Sequence, residues 1–502
     1  MLSPIDVYRL DLNSRWLGIP TELLMESAGR NVADVVLKYF PDTRRIVCLC
    51  SRTNNGGDGL VAARHLSLRK DVVVVFIGRP ELIRTRETKM NWDIICRLDC
   101  IEKFLVKSEE DLSILSDILC DADVVVDAIF GVGIRGRPRG LEARAIEAIN
   151  KLKKQYGFKI VSVDVPSGFD CYRGEKTDIT IDADIVVTFH DMKKGMDKLS
   201  SKIIIGDIGI PADAERYVGP GDLINIVKPR DPWSHKGQHG KILIIGGSKY
   251  FTGAPALSAL AALKTGADLA VVYAPEKVAN TIRSYSPDLI VWSYSGEILT
   301  KEVLSELKNF ISKFDVFIVG PGLGAEEETL EAVHVLIGEI LRGKNIIVDA
   351  DALKSFSKYG VPGGNIVITP HAGEFRMIFG EEPTKDISTR SYIVSKFARK
   401  YDITILLKGH IDVISDGDKT KLNKTGNPGM TVGGTGDVLT GIIGAIMARG
   451  FSPFESACAG AFICGYSGDL AFKQYGYGLT AKDVIEHIPQ TLNWLTDFIS
   501  GT

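Results

Sequence analysis

Short, almost wholly apolar runs rich in valine and isoleucine recur through the first half of the chain, at 45–49, 72–77, 123–129, 160–165, 185–189 and 203–205. Segments of helical period separate them, at 21–39, 59–69, 111–119 and 141–155. A strand that is apolar on both faces has to be covered on both, and strands that alternate with helices pair in parallel through crossovers. The chain is therefore predicted to build a parallel sheet between two helical layers. A proline-rich stretch at 211–232 shows no clear period and reads as a linker, with a boundary near residue 220. Beyond it the pattern restarts. Strands are expected at 241–245, 269–273, 316–319, 345–348, 365–368 and 404–407, and helices at 255–265, 330–341, 389–400, 437–448, 453–472 and 481–498. The prediction is two α/β domains, 1–215 and 222–502, with no shared motif that would mark an internal repeat.

Composition narrows the class. At 502 residues the chain has room for at least two cores, and 45% hydrophobic with 25% charged residues excludes disorder as its main state. Lys and Arg total 60 against 63 Asp and Glu, a net charge of −3, which leaves no electrostatic footprint for nucleic acid or an anionic membrane. Eight cysteines form no CxxC pair, and Cys48 and Cys50 share one apolar run, so they are expected to be buried, reduced thiols. No apolar stretch reaches the roughly 20 residues of a membrane span. The first residues carry Asp6, Arg9, Asp11 and Arg15 rather than the apolar core of a signal peptide. A cytoplasmic protein is expected.

Glycine, at 51 residues, clusters where strands should hand over to helices. In parallel sheets ligands lie outside the carboxyl ends of the strands. In the first half, Thr53-Asn54-Asn55-Gly56-Gly57-Asp58-Gly59 follows a strand and is expected to form a loop opening a helix at 59. Such glycines let backbone N–H groups approach a ligand, and the helix start favours an anion. A type I′ hairpin turn is the alternative for Asn-Gly, but the following residues keep helical period. Asp127 ends an apolar strand ahead of Gly131-Val132-Gly133-Ile134-Arg135-Gly136-Arg137, and Asp164-Val165-Pro166-Ser167-Gly168 ends the next. Taken singly, Asp127 could be a cap or a loop ion pair, and Pro-Ser-Gly is ordinary turn chemistry. Brought together, Asn55, Asp127 and Ser167 would offer amide, carboxylate and hydroxyl oxygens suited to a hard cation, leaving Asp164 for proton transfer.

In the second half Gly433-Gly434-Thr435-Gly436-Asp437 precedes a long apolar helix. Three glycines there make a nest of N–H groups for phosphoryl charge, and Asp437 in the first turn could serve as general base toward an attacking hydroxyl. A first-turn acid can also simply favour the helix, by roughly 0.3–1 kcal/mol, but capping does not call for three glycines. Further strand ends carry Gly320-Pro321-Gly322-Leu323-Gly324, Asp349-Ala350-Asp351, Thr369-Pro370-His371-Ala372-Gly373-Glu374 and Lys408-Gly409. Alone, His371 reads as a structural or surface histidine, and Asp349 and Asp351 as caps. No His/Cys cluster has zinc spacing.

The run TNNGGDG, the segment VVDAIFGVGIRGR and the segment VDVPSG resemble, in this order, the YjeF N-terminal domain over about residues 1–212. The resemblance implies a Rossmann-like three-layer fold and NAD(P)H-hydrate epimerase activity. It implies a potassium ion on Asn55, Asp127 and Ser167, and substrate contacts from Asn54, Asn55, Gly56, Gly57, Asp58, Gly131 to Arg137, and Asp164. Asp164 would act in acid–base chemistry. Around Lys193-Lys194-Gly195 the chain resembles the family's lysine-bearing strand end, with Lys194 as the candidate, but departs in carrying His190-Asp191.

From His235-Lys236-Gly237 and Gly253-Ala254-Pro255 onward, the motif order resembles the YjeF C-terminal domain over about 225–502, with Met430-Thr431-Val432 in place of a Met-Ala-Thr run. That implies a ribokinase-like fold and an ADP/ATP-dependent NAD(P)H-hydrate dehydratase. By position, Ala254, Gly322, Gly324, His371 and Asp437 would face the hydrated nicotinamide nucleotide. Lys408-Gly409-His410-Ile411-Asp412 and Asn427-Pro428-Gly429-Met430-Thr431-Val432-Gly433-Gly434-Thr435-Gly436 would hold the adenine nucleotide.

The whole reads as a bifunctional repair enzyme. It would epimerise the R and S hydrates of NADH and NADPH, and dehydrate the S form with release of AMP and phosphate. ADP is taken as co-substrate because the two-domain fusion resembles prokaryotic members. Mg²⁺ would bridge phosphate oxygens. A homo-oligomer is expected. Two alternatives stand beside this reading: a ribokinase-type small-alcohol kinase fused to a non-catalytic binding domain, and a YjeF-type scaffold of RNA-processing proteins. Retention of Asn55, Asp58, Asp127 and Asp164 and the near-neutral charge speak against the scaffold.

Overall fold

A computed structural model describes residues 1–501 and divides the chain into two compact units, Met1–Ala212 and the remainder from Asp213 onward. The first unit contains strands β1 (Arg45–Ser51), β2 (Asp71–Ile77), β3 (Ile101–Val106), β4 (Val124–Ala128), β5 (Lys159–Val163), β6 (Phe169–Asp170), β7 (Glu175–Lys176), β8 (Ile185–Phe189) and β9 (Lys202–Gly206). Seven of these form one sheet in the order β3-β2-β1-β4-β5-β8-β9, parallel throughout. β6 and β7 make a separate antiparallel ribbon. Alternation along β1 sends Ile46, Cys48 and Cys50 into one core with helix Thr21–Tyr39, and Val47 and Leu49 into the other with helix Gly140–Tyr156. Both faces are thus covered, which is why these strands read as unbroken apolar runs.

The second unit contains β10 (Lys241–Ile245), β11 (Leu269–Pro275), β12 (Ile290–Tyr294), β13 (Val316–Val319), β14 (Asn345–Val348), β15 (Ile366–Ile368), β16 (Thr404–Leu407), β17 (Asp412–Ser415) and β18 (Thr420–Asn423). They form one sheet in the order β12-β11-β10-β13-β14-β15-β16-β17-β18. It is parallel as far as β16 and antiparallel across β17 and β18.

In both sheets the chain winds outward from one central strand, returns, and continues on that strand's other side. The reversal falls between β1 and β4 in the first unit and between β10 and β13 in the second. A crevice opens at such a switch point, outside the carboxyl ends of the strands.

Several expectations need correction. The stretch 211–232 is not a free linker. Helix Ala212–Arg216 and a 3-10 turn Pro220–Leu223 occupy it, the Val218 N–H donates to the Leu422 carbonyl, and Lys421 pairs with Asp222 at 2.8 Å. β3, β12, β17 and β18 escape the apolar-run criterion. β3 and β12 are edge strands with exposed positions, and β17 and β18 are only four residues long. The cysteines form no disulfides, but only Cys48, Cys50, Cys171, Cys458 and Cys464 are buried; Cys96, Cys100 and Cys120 are exposed. Among the described residues no helix is long and apolar enough to cross a membrane.

Candidate active sites

In the first unit, Thr53 terminates the chain's exit from β1 and caps the helix Asn54–Leu66, its Oγ1 accepting from the Gly56 N–H at 3.2 Å. The helix therefore starts at Asn54, and Gly56, Gly57 and Gly59 lie inside its first turns rather than in a loop before it. Their role is close packing. A Cβ at Gly56 would lie 2.0 Å from the Ser51 carbonyl oxygen, and one at Gly59 would lie 2.4 Å from the Ala128 Cβ. The bare backbone lets the helix press onto β1 and β4, which aims its N-terminus at the switch point. Asn54 is held outward, donating to Glu87 at 3.0 Å and accepting from Thr85 at 2.6 Å.

Near the end of β4 the Asp127 carboxylate is buried and accepts several hydrogen bonds. Ser162 Oγ and the Ser167 N–H donate to Oδ2 at 2.7 and 2.9 Å, and Ser167 Oγ donates to Oδ1 at 2.5 Å. Burial raises its pKa, and the two serines work against that rise. Asn55 Nδ2 donates to the Phe130 carbonyl at 3.0 Å, and the Phe130 N–H donates to Ser167 Oγ at 2.8 Å. Asn55 Oδ1 faces Gly131, where an added Cβ would lie 3.1 Å away. The structure thus gathers Asn55, Asp127 and Ser167 around one loop.

Asp164, just past β5, has φ +63, a backbone region that L-residues seldom occupy. Its Oδ1 meets Lys193 Nζ at 2.6 Å and accepts from Thr188 Oγ1 at 3.2 Å. Lys193 is only 1% exposed and also donates to Thr188 Oγ1 at 2.9 Å and the Phe189 carbonyl at 2.8 Å. Lys193, not Lys194, is therefore the lysine of this site; Lys194 lies at the surface and donates to the Tyr172 carbonyl. A cavity of about 470 Å³ opens here, lined by Asn54, Asn55, Asp58, Gly131 to Ile134, and Asp164 among the expected residues. Burial, then Asp164 and Asp11, pushes Asp58 well above the usual carboxylate range.

The rest of the expected set lies elsewhere. Gly56 and Gly57 are buried in packing. Arg135 stacks over Tyr172 at 5.6 Å, the Gly136 N–H donates to Asp170 at 2.8 Å, and Arg137 pairs with Asp178 at 3.3 Å. Beyond Gly133 the loop turns toward the β6–β7 ribbon, and only Ile134 still reaches the cavity. Sequence reasoning missed Lys193, Thr188, His190 and the whole of helix Pro4–Trp16, which adds Val7, Leu10 and Asp11 to the lining. A signal for that helix existed: Ser3 and Asp6 form a capping box with Pro4 at the first helical position.

In the second unit Gly434, with φ +96, stands at the N-cap of helix Thr435–Met447 and offers no side chain to cap it. The N–H groups of the first turn are therefore left to a ligand. Of the three glycines only Gly434 is left-handed; Gly433 has open space around it, and Gly436 faces Asp349 and Lys408 at 3.4 and 3.5 Å from an added Cβ. Asp437 is the third helical residue, and its carbonyl accepts from Ser258 Oγ and Thr440 Oγ1 at 2.9 and 2.8 Å. Burial, then Asp349, pushes its carboxyl up to about 7, with Lys408 pulling the other way. Lys408, past β16, bonds Asp349 at 3.0 Å. Burial opposes its charge, but Asp349 and Glu374 outweigh that and hold the ammonium above its ordinary range. Glu374 is itself raised by burial, with Lys408 opposing.

A second cavity of about 790 Å³ is lined by Lys408, Gly409, His410, Asp412, Asn427, Pro428, Met430, Thr431, Val432, Thr435 and Gly436 of the expected nucleotide set. Ile411, Gly429, Gly433 and Gly434 do not line it; Gly429 packs on Phe472 and Gly434 on Leu257 and Ala481. Thr425, Gly426, Leu439, Ala461, Cys464 and Gly465 join the lining, unforeseen because helix Pro453–Tyr475 brings three of them from far along the chain. The loop is braced by Asp469, which accepts from Asn427 Nδ2 at 2.9 Å and the Gly426 N–H at 3.0 Å.

His371 lines this cavity rather than standing apart with Ala254, Gly322 and Gly324. Its Nδ1 accepts from the N–H groups of Gly373 and Glu374 at 3.0 and 3.1 Å and so caps helix Ala372–Phe379. Gly322 lets Phe251 and Ala254 approach: an added Cβ would lie 2.8 and 3.3 Å from their Cβ atoms. The Gly324 N–H donates to Asp351 at 3.1 Å.

Two α/β units, each with a carboxylate and a cation at the carboxyl edge of its sheet, define a double-headed small-molecule enzyme. Residues 242–490 match the family model described as NAD(P)H-hydrate dehydratase, and residues 21–195 match that of the YjeF-related protein N-terminus. A Pyrobaculum aerophilum protein named bifunctional NAD(P)H-hydrate repair enzyme is 41% identical over 98% of each chain. A Methanopyrus kandleri protein of the same name is 43% identical over 97% of this chain and 95% of its own. A ribokinase-like superfamily protein from Enterococcus faecalis superposes with a TM-score of 0.50 at 26% identity, over 56% of this chain and 96% of that one. The chain belongs to the family of bifunctional NAD(P)H-hydrate repair enzymes.

Proposed function

We propose that the first unit interconverts the R and S hydrates of NADH and NADPH, and that the second dehydrates the S form with ADP, releasing AMP and phosphate. Family membership over nearly the whole chain supports both halves. The observation that carries the reading is Asp437: a carboxyl raised to about 7, in the first turn of a helix without a side-chain cap, beside Lys408 and Asp349. A group titrating there can take the proton of the substrate hydroxyl at neutral pH while the open N–H groups receive the transferring phosphoryl charge. Loss of phosphate then restores the ring double bond.

In the first unit Asp164, aimed by Lys193 and Thr188, is the proton-transfer group. The oxygens of Asn55, Asp127, Ser167 and the Phe130 carbonyl suit a potassium ion in donor chemistry, since all are hard and only one is ionic. When bound, the ion would fix the Phe130–Gly131 turn and offer positive charge to a substrate oxygen. Among the described residues no group of three or more His, Cys, Asp and Glu side chains could hold a metal by itself. Mg²⁺ would arrive with the nucleotide phosphates, near Asp349, Asp351 and Glu374, which surround Lys408 and Asp437.

The test is a pair of variants. Asp437→Asn is expected to abolish nucleotide-dependent dehydration and leave epimerisation intact. Asp164→Ala is expected to let R-hydrate accumulate while the S form is still repaired. Unchanged dehydration in the first variant would refute the base assignment, and normal epimerisation in the second would refute Asp164.

A further inference from the structure

The first unit's cavity is closed on one side by a segment lying ahead of the family-model match at 21–195. This segment is tied to the strand end that carries Lys193: the Leu2 N–H donates to the Met192 carbonyl at 2.8 Å, and the Lys194 N–H donates to the Leu2 carbonyl at 3.0 Å. The helix Pro4–Trp16 that follows places Asp11 in the lining, in the company of Asp58, Asp164, Lys193 and His190.

Among the described residues none hydrogen-bonds or ion-pairs with the Asp11 carboxylate. Lys193 cannot neutralise it directly, because an ammonium has three protons and those of Lys193 are engaged by Asp164, Thr188 and Phe189. A carboxylic residue that lines a ligand cavity and has no structural partner has no evident role in holding the fold.

We propose that Asp11 is a further catalytic residue of the first unit, exchanging a proton with the hydroxyl at C6 of the hydrated nicotinamide; the inference rests on the epimerase reading above. Inversion at C6 requires the C6–O bond to break and re-form on the other face. Asp11 in its acid form gives its proton to the hydroxyl oxygen, which leaves as water with the C6–O electron pair. The N1 lone pair forms a C6–N1 double bond in its place. Water then adds to the opposite face, the double-bond pair returns to N1, and the incoming water loses its proton to Asp164. Asp164 passes its proton to solvent and solvent returns one to Asp11, so no atom or charge is gained or lost over the cycle.

The electrostatic setting agrees. Burial, then Asp164, raises Asp11 to about 7, Lys193 pulls it down, and Glu87 adds to the rise. Asp58, raised in its turn by Asp11, completes the titratable groups facing it together with His190. A group that still holds its proton in a good part of the molecules at neutral pH, beside a carboxylate paired with a cation, is the division of labour that acid–base chemistry needs.

The test uses the full chain with purified R-hydrate. Asp11→Asn is expected to lower kcat for epimerisation ~100-fold or more, with little change in KM. Dehydration of S-hydrate by the same variant should remain at the wild-type rate. Asp11→Glu should recover a measurable part of the lost rate. The wild-type epimerisation rate should fall as pH rises above about 7, and that limb should vanish in Asp11→Asn. An Asp11→Asn variant with wild-type rate and pH profile overturns the proposal. So does a loss that resides in KM and is the same for Asn and Glu. A wild-type chain that epimerises nothing overturns the reading on which the proposal stands, and not Asp11 alone.

Discussion

The Asp437 carboxyl, raised from 3.8 to about 7 chiefly by burial, makes opposite demands on activity and stability. As a base it must be ionised, so kcat/KM for dehydration should fall as pH drops below about 7 and should level off above it. For stability the sign is reversed. Below the unfolded value near 3.8 both states hold the proton and burial costs nothing. As pH rises toward about 7 the unfolded chain gives up the proton freely while the folded one resists, so stability declines across that window. Asp437→Asn, which never ionises, should therefore unfold at a higher temperature than wild type at pH 8 and at nearly the same temperature at pH 4. A wild-type melting point that does not decline relative to the variant over this range would contradict the burial argument. Asp437 was legible in the sequence because an acid after three glycines has no simple capping role. Lys193 was not legible as distinct from Lys194: adjacent lysines look alike in sequence, and only the pairing with Asp164 separates them.

Among the elements, the helix Asn54–Leu66 shows how packing overrides a plausible local reading. Asn-Asn-Gly-Gly suggests a loop, since glycine inside a helix costs about 1 kcal/mol. Contact with β1 and β4 repays that cost, because no larger residue allows the approach. Gly56→Ala should destabilise the first unit by about 1–3 kcal/mol, the usual cost of overpacking, and should depress epimerisation. Gly133→Ala, where nothing lies within 4 Å of the added Cβ, should leave the unfolding midpoint nearly unchanged. Equal midpoints in urea for the two variants would show that the close approach has no energetic weight. The central strands were readable because burial on both faces leaves no ambiguity of period. The helix Pro4–Trp16 was not, since its polar and apolar residues give almost no amphipathic contrast and only its cap announces it.

For the molecule as a whole, the two-domain plan was legible from the restart of the strand–helix pattern. The prolines at 211–232 suggested a linker, whereas Val218, Asp222 and Ile226 are bonded into the second unit. The side-by-side placement of Asp127 with Ser167, and of Lys408 with Asp349, depends on a strand order that local sequence does not reveal. The central claim is that one chain completes both steps of hydrate repair. Its most direct test is to give the full chain an equal mixture of R and S hydrates with ADP and follow reduced nicotinamide, AMP and phosphate together. Both epimers should be recovered, with one AMP and one phosphate for each nicotinamide restored. Recovery that halts at half the mixture, or a stable phosphorylated product in place of free phosphate, would contradict it.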